Sequence, residues 1–204
     1  MEVILASASP RRKKILTLLY EDFRVIKSDI RELVPHDLPI EKCPEYLAKQ
    51  KAEAVAPGYN KSLVIGCDTS VVIDGTILNK PRSTSDARQM MEMLSGKTHQ
   101  VITGCALCYM GQTQTFSETT EVEFYALTTE EIDEYIKTTE PYDKAGGYGI
   151  QSTGALFVKR IIGDYFNVVG LPVARLKREV DVFLDRDFGQ QQIVIKKDKP
   201  RSKL

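Results

Sequence analysis

Hydrophobic and polar positions along the chain fall into blocks that predict an α/β fold. A short apolar strand at the N-terminus passes through small residues into helical spacing, with Ser9 as N-cap and Pro10 at the first helical position. Stretches in which apolar residues recur at every second position, as in a strand, then alternate with stretches of helical spacing. The predicted strands are 23–27, 63–68, 71–73, 76–78, 99–109, 113–126 and 157–162, and the predicted helices are 44–56, 84–94, 128–137 and a last one opened by Pro172.

The pattern contains no interdomain linker and no internal repeat, so a single domain is expected over residues 1–189. Residues 190–204 form a polar, basic tail with little to bury, and they end in Ser202-Lys203-Leu204. That tripeptide matches the peroxisomal address. It predicts a location in peroxisomes or a peroxisome-derived organelle, with the cytoplasm as the alternative.

Composition and charge narrow the classes of function. Of the 204 residues, 42% are hydrophobic and the formal net charge is zero, which disfavours a nucleic-acid binder held by bulk charge. No apolar run approaches the length of a membrane span, so no membrane partner is expected. Cys105 and Cys108 have CxxC spacing but would point to opposite faces of a strand, which favours buried thiols over a zinc or redox site.

The junction before the first helix combines Ser7 and Ser9 with a basic run that begins with Arg11 and Arg12. Free amides at a helix start attract phosphate and other anions. The pattern therefore predicts an anion site, although an ordinary capped helix with a solvated basic face fits it equally.

Two lysines and an aspartate lie near the predicted element ends. Lys51 is close to the apolar face of its helix, where a lysine either extends along the rim or reaches into a cleft. Asp68, followed by Thr69, ends a buried strand, and Lys80 follows the hairpin. Ligands collect at the carboxyl ends of strands in open α/β sheets, so chemistry is expected there, although an aspartate in this position also often caps a turn.

A glycine-rich loop over 141–151 carries Asp143, Lys144 and Gln151, which suit ligand contact. Basic groups and a helix start suit a polyphosphate, while carboxylates hold a hard divalent cation and orient a water. No Ser-His or Cys-His nucleophile pair is evident. The residues thus indicate metal-assisted hydrolysis of a nucleotide polyphosphate.

The ordered motifs resemble the Maf family of nucleoside triphosphate pyrophosphatases. The similarity runs from about Ile4 to Leu184. It rests on ASASPRR at 6–12, LAKQKA at 47–52, GCDT at 66–69, KP at 80–81, DKAGGYGIQ at 143–151 and NVVGLP at 167–172.

This resemblance implies hydrolysis between the α- and β-phosphates, with a mixed twisted sheet flanked by helices in two lobes around a deep cleft, the fold shared with inosine triphosphate pyrophosphatases. Asp68 would be the proton acceptor, and Arg12, Lys51 and Lys80 would bind the triphosphate. Glu32 and Asp68 would hold the divalent cation, Mg²⁺ or Mn²⁺. A homodimer is plausible by the same resemblance.

The positions of Arg11, Thr69 and Gln151 separate subfamilies, and these three residues resemble the branch that acts on dTTP, UTP and modified pyrimidine nucleotides. The chain departs from the family at Arg31, where an acidic residue is usual, and this weakens the assignment of Glu32. Two alternatives stay open, namely a non-catalytic nucleotide-binding regulator of cell division and an inosine or xanthosine triphosphate pyrophosphatase.

Overall fold

The computed structural model describes residues 1–189 and contains a seven-stranded mixed sheet flanked by helices. The strands are β1 (Val3–Ala6), β2 (Arg24–Val25), β3 (Leu63–Ile73), β4 (Thr76–Leu78), β5 (Thr98–Tyr109), β6 (Gln112–Phe124) and β7 (Val158–Ile162). The helices are α1 (Pro10–Leu16), α2 (Cys43–Val55), α3 (Thr84–Leu94), α4 (Thr129–Ile136), α5 (Tyr165–Val169) and α6 (Val173–Phe188).

The strand order is β2-β1-β3-β5-β6-β7, with β4 paired to β3 outside this path. Strand β1 is parallel to both β2 and β3, and all other pairs are antiparallel. The mixed α/β architecture expected from the sequence is therefore confirmed. Ser9 caps α1 with Pro10 at the first helical position, and Ser83 and Thr128 cap α3 and α4 through their side chains.

One sequence prediction is wrong in a way that matters for the site. The strand expected to end at Asp68 continues to Ile73, because its pairing with β5 runs without a break and sets Asp68 opposite Gly104. On the other edge, β1 pairs only with residues 63–66 and β4 only with 71–73. Residues 67–70 therefore face a gap in the sheet, with a continuous strand behind them.

Buried apolar side chains form three clusters around the long strands. One lies where β1, α1 and α6 pack on the first half of β3. A second lies where α3 and α4 pack around the second half of β3 and the end of β6. The third packs α2 against the opposite face of β1, β3 and β5. The first two clusters form the cores of the two expected lobes, and the gap in the sheet lies between them.

Helix α2 lies unusually close to the sheet because two facing residues are glycines. A Cβ on Gly66 would lie 2.3 Å from the carbonyl oxygen of Ala48, and one on Gly104 would lie 2.2 Å from the backbone nitrogen of Glu45. No side chain fits in either place. The close approach brings Lys51, on α2, within reach of Asp68.

The predicted tail over 190–204, with Ser202-Lys203-Leu204, lies outside the described residues. Among the helices of residues 1–189, none has the length and apolar character needed to cross a membrane.

Candidate active site

A deep cleft of about 1070 Å³ opens at the gap in the sheet. Its walls come from both lobes, and every predicted site residue except Ser7 lines it. These residues are Ser9, Arg11, Arg12, Glu32, Lys51, Asp68, Thr69, Lys80, Asp143, Lys144 and Gln151. Residues more than 140 positions apart in sequence therefore share one cavity, as the sequence motifs predicted.

Lys51 holds two carboxylates together at the floor of the cleft. Its Nζ lies 2.5 Å from Oδ1 of Asp68 and 2.8 Å from Oε1 of Glu32. The Lys51 residue is only 9% exposed, so it does not extend along the rim to solvent. Of the two readings left open for this lysine, the structure supports the one in which it reaches into a cleft.

The donor set fits a divalent cation that is shared with a polyphosphate. Glu32 and Asp68 each bring a carboxylate oxygen to Lys51 Nζ. Within residues 1–189, no group of three or more His, Cys, Asp or Glu side chains is arranged to hold a metal. Mg²⁺ commonly takes one or two carboxylates together with substrate phosphates and water. These two carboxylates suit that kind of site and do not form a closed protein cage.

Arg12 is largely occupied by the protein itself. Its guanidinium donates from Nε to the carbonyl of Gly170 at 2.8 Å and from Nη1 to the carbonyl of Cys67 at 3.0 Å and to Ser7 Oγ at 3.2 Å. Nη2 donates to Thr69 Oγ1 at 2.8 Å. These contacts with residues 1–189 use four of the five guanidinium N–H groups and leave one for a ligand. Arg12 therefore braces the strand gap, and Ser7 lies behind it as an acceptor.

The basic run at α1 divides between the cleft and solvent. Arg11 and Arg12 line the cavity, while Lys13 and Lys14 are exposed on the last turn of the helix. Ser9 Oγ accepts from the amide of Arg12 at 3.4 Å, as an N-cap does. Half of the run is thus the solvated face allowed by the simpler interpretation.

An ion-pair triad crosses the mouth of the cleft. Arg11 Nη1 lies 2.9 Å from Asp143 Oδ2, and Lys144 Nζ lies 2.5 Å from Asp143 Oδ1. Burial acts to raise the pKa of Asp143, but hydrogen bonds from Lys144 and Arg11 outweigh it and leave that pKa below its usual value. The triad joins α1 to the glycine-rich loop and keeps Asp143 charged.

Lys80 and Gln151 are the predicted site residues with the most freedom. Both are exposed and line the cavity. Lys80 makes no ion pair with any carboxylate of residues 1–189. A cation without a protein partner in this cleft is available to an anionic ligand.

Sequence reasoning missed a neutral hydrogen-bond network behind Thr69. The hydroxyls of Thr69 and Thr103 lie 2.9 Å apart, and Thr103 donates to the carbonyl of Asn167 at 3.0 Å. Asn167 is fully buried, and its Nδ2 donates to the carbonyl of Val101 and to Thr120 Oγ1, both at 2.9 Å. A threonine inside a strand gives no sequence signal of this role, since only the β3–β5 register brings Thr103 beside Thr69.

The cysteines are buried free thiols, as predicted. Cys105 packs in the first apolar cluster and Cys108 in the third, on the opposite face of the sheet. Cys105 Sγ lies 3.8 Å from Cys67 Sγ, and burial raises the pKa of Cys105. Beyond them, His99 Nε2 pairs with the hydroxyl of Tyr148 at 2.8 Å under the cleft wall.

A family model described as Maf-like protein matches residues 2–183. A dTTP/UTP pyrophosphatase of Bacillus cytotoxicus is 51% identical over 185 residues, which cover 88% of this chain and 94% of that protein. Another, of Halalkalibacterium halodurans, is 49% identical over 180 residues, which cover 88% and 95%. Among solved structures, the Staphylococcus aureus Ham1 protein aligns with 61% of this chain and 72% of its own, at a TM-score of 0.45 and 19% identity.

Proposed function

Because the chain belongs to the Maf-like protein family, we propose that it hydrolyses dTTP and UTP to the nucleoside monophosphate and pyrophosphate. The family expected from the sequence motifs is confirmed, and relatives about half identical over nearly their whole length are named dTTP/UTP pyrophosphatases. The observation that carries the mechanism is the contact between Lys51 and Asp68 on the floor of a cleft that both lobes line.

In this mechanism Asp68 orients the attacking water towards the α-phosphorus and accepts a proton from it. Lys51 holds the Asp68 carboxylate in one position and, together with Lys80, offsets the charge of the phosphates. Phosphoryl transfer requires positioning and charge neutralisation more than covalent catalysis, and the described site supplies both. Arg12 braces the strand on which Asp68 lies.

Glu32 and Asp68 would hold the divalent cation, Mg²⁺ or Mn²⁺. When bound, such a cation neutralises charge on phosphate oxygens and on the departing pyrophosphate. Support for this assignment comes from the convergence of the two carboxylates on Lys51. Arg31 is exposed next to Glu32 and forms no ion pair with it.

The base end of the nucleotide would lie against Thr69, Gln151 and the apolar residues that line the same wall. Arg11, Thr69 and Gln151 would set the preference for thymine and uracil, and Asp143, itself paired with Lys144, would hold Arg11 at the cleft until the nucleotide binds. Residues 1–189 would form the whole catalytic domain, in agreement with the span of the family match.

The test is pyrophosphate release from dTTP, UTP, CTP, GTP, ITP and 7-methyl-GTP, with Mg²⁺ or Mn²⁺. Turnover confined to dTTP and UTP is the expected outcome. A purine preference would keep the enzyme and reject the three specificity residues. Tight binding without turnover would instead favour the nucleotide-binding regulator.

Two further expectations remain predictions. The homodimer rests on resemblance alone, and sedimentation or light scattering measures it directly. The peroxisomal address lies outside the described residues, and bacterial relatives lend it no support, because bacteria lack peroxisomes. Deletion of Leu204 followed by localisation in a eukaryotic cell would decide whether the address functions.

A further inference from the structure

The hydrogen bonds behind Thr69 have a fixed direction. A carbonyl oxygen can only accept, so the Thr103 hydroxyl donates its single proton to the carbonyl of Asn167, at 3.0 Å. In its 2.9 Å contact with Thr69, Thr103 Oγ1 must then accept. The Thr69 hydroxyl therefore directs its proton inward, away from the cleft.

This direction determines what Thr69 offers to a ligand. Its proton is used by Thr103, and one of its two lone pairs accepts from Arg12 Nη2 at 2.8 Å. The residue is half-buried and lines the cleft. What remains for a ligand is one lone pair, so Thr69 presents an acceptor and no donor.

We propose that Thr103 is a positioning residue that fixes the Thr69 hydroxyl as an acceptor, so that the cleft selects a base with a ring N–H. Thymine and uracil carry such a donor at N3, whereas N3 of cytosine is an acceptor. Thr103 itself is fully buried and does not line the cleft. The inference rests on the proposed function and deepens it, since it gives a physical reason for the preference for dTTP and UTP over CTP.

The strength of the preference for Thr69 as an acceptor follows from the cost of reversing its hydroxyl. For Thr69 to point its proton at the cleft, Thr103 would have to donate to Thr69 and leave the carbonyl of Asn167. That carbonyl still accepts the amide N–H of Gly170 at 2.9 Å, so the reversal loses one hydrogen bond and orphans no group. One net hydrogen bond corresponds to a discrimination of roughly five- to tenfold.

The experiment compares kcat/KM for UTP and CTP, measured by pyrophosphate release, in the wild type, Thr103→Val and Thr103→Ser. Valine keeps the shape but accepts no hydrogen bond, so the Thr69 proton turns towards the cleft. We expect the UTP/CTP ratio to fall about five- to tenfold, mainly through KM. Serine retains the hydroxyl and should retain the ratio.

Thr120→Val is the matched control. Thr120 is as fully buried as Thr103 and bonds to the same asparagine, at Nδ2, but forms no hydrogen bond with Thr69. Its hydroxyl donates to the carbonyl of Asp164 at 3.0 Å, so Thr120→Val loses a hydrogen bond comparable to the one lost in Thr103→Val. We expect it to leave the ratio unchanged. An equal fall in both valine variants, or an unchanged ratio in Thr103→Val, would overturn the proposal.

Two further measurements keep the outcomes distinct. If the wild type binds nucleotides without hydrolysing them, the proposed function fails, and the same UTP/CTP ratio is then taken from Kd. If Thr103→Val does not fold, the wild type is compared on N3-methyl-UTP and 5-methyl-UTP. Only N3-methyl-UTP lacks the ring N–H donor, so its kcat/KM alone should fall at least about tenfold below that of UTP. Equal use of the two analogues would contradict the inference.

Discussion

Asp68 and Thr69 are neighbours on β3, yet the two halves of the cleft they serve are built on different principles. The charged half consists of side chains that pair with one another, with Lys51 between Asp68 and Glu32 and Arg11 bonded to Asp143. In the neutral half, Thr69 lies on a buried chain of hydroxyls that ends at a backbone carbonyl. Ion pairs can exchange partners when phosphates arrive, whereas reversal of the hydroxyl chain loses a hydrogen bond. The Lys51 cluster of the charged half is thus suited to chemistry and the hydroxyl chain to recognition, while Arg11 is a charged group that would turn to the base.

Asp68→Asn gives the sharpest test of the charged half. An amide cannot accept the water's proton, so kcat should fall by about 10²- to 10⁴-fold while nucleotide binding persists. Asp74→Asn is the control, because Asp74 lies in the exposed β3–β4 turn at a φ of 48°, which asparagine tolerates. Near-normal turnover of Asp68→Asn, measured by pyrophosphate release, would remove Asp68 from the role of base.

The folded chain loses stability in acid through its buried His99. Burial lowers the pKa of His99 from 6.5 to about 4, so the folded chain keeps the ring neutral while the unfolded chain takes up a proton below pH 6.5. The stability that neutral His99 contributes is therefore fully present above pH 6.5 and is lost as the pH falls towards 4. The free energy of unfolding should decrease by about 3 kcal/mol over this range.

Denaturant unfolding of the wild type and His99→Gln at several pH values measures this effect. Glutamine does not titrate, so the variant should show a flatter dependence between pH 6.5 and 5. Carboxylates that titrate at lower pH contribute to both proteins and cancel in the difference. Parallel curves would mean that His99 is protonated in the folded protein.

Gly66→Ala separates the two halves by moving α2. The new Cβ would lie 2.3 Å from the carbonyl of Ala48, so the helix must shift, at a cost of about 2 kcal/mol in the free energy of unfolding. The shift draws Lys51 away from Asp68 and leaves Thr69 in place. We expect kcat/KM to fall alike for UTP and CTP.

Gly58→Ala serves as the control for that substitution. A Cβ on Gly58 meets nothing within 4 Å, so the free energy of unfolding of the Gly58→Ala variant should stay within about 0.5 kcal/mol of the wild type. A change of the UTP/CTP ratio in Gly66→Ala would show that the two halves are mechanically linked, contrary to the comparison.

Sequence predicted the fold and which charged residues line the cleft. Caps such as Ser9 and Thr128 act within a few residues, whereas the roles of Lys51, Asp68 and Lys80 came from the motifs that resemble the family. The continuation of β3 beyond Asp68 depends on pairing with β5, which local sequence does not encode. The role of Thr103 follows from the same register, so it was invisible until the strands were paired.

The smallest expected effect concerns the ion pair across the cleft mouth. The side chains of Arg11 and Asp143 are 29% and 59% exposed, so solvent screens their 2.9 Å contact. A double-mutant cycle with Arg11→Ala and Asp143→Ala should give a coupling of only about 0.2–1 kcal/mol in the free energy of unfolding, and less at high salt. A weak coupling is what the charged half requires, because a pair that costs little to separate leaves Arg11 free to turn to a ligand. A coupling above about 2 kcal/mol would mean that this pair is held more firmly than the hydroxyl chain, and the distinction between the two halves would then be lost.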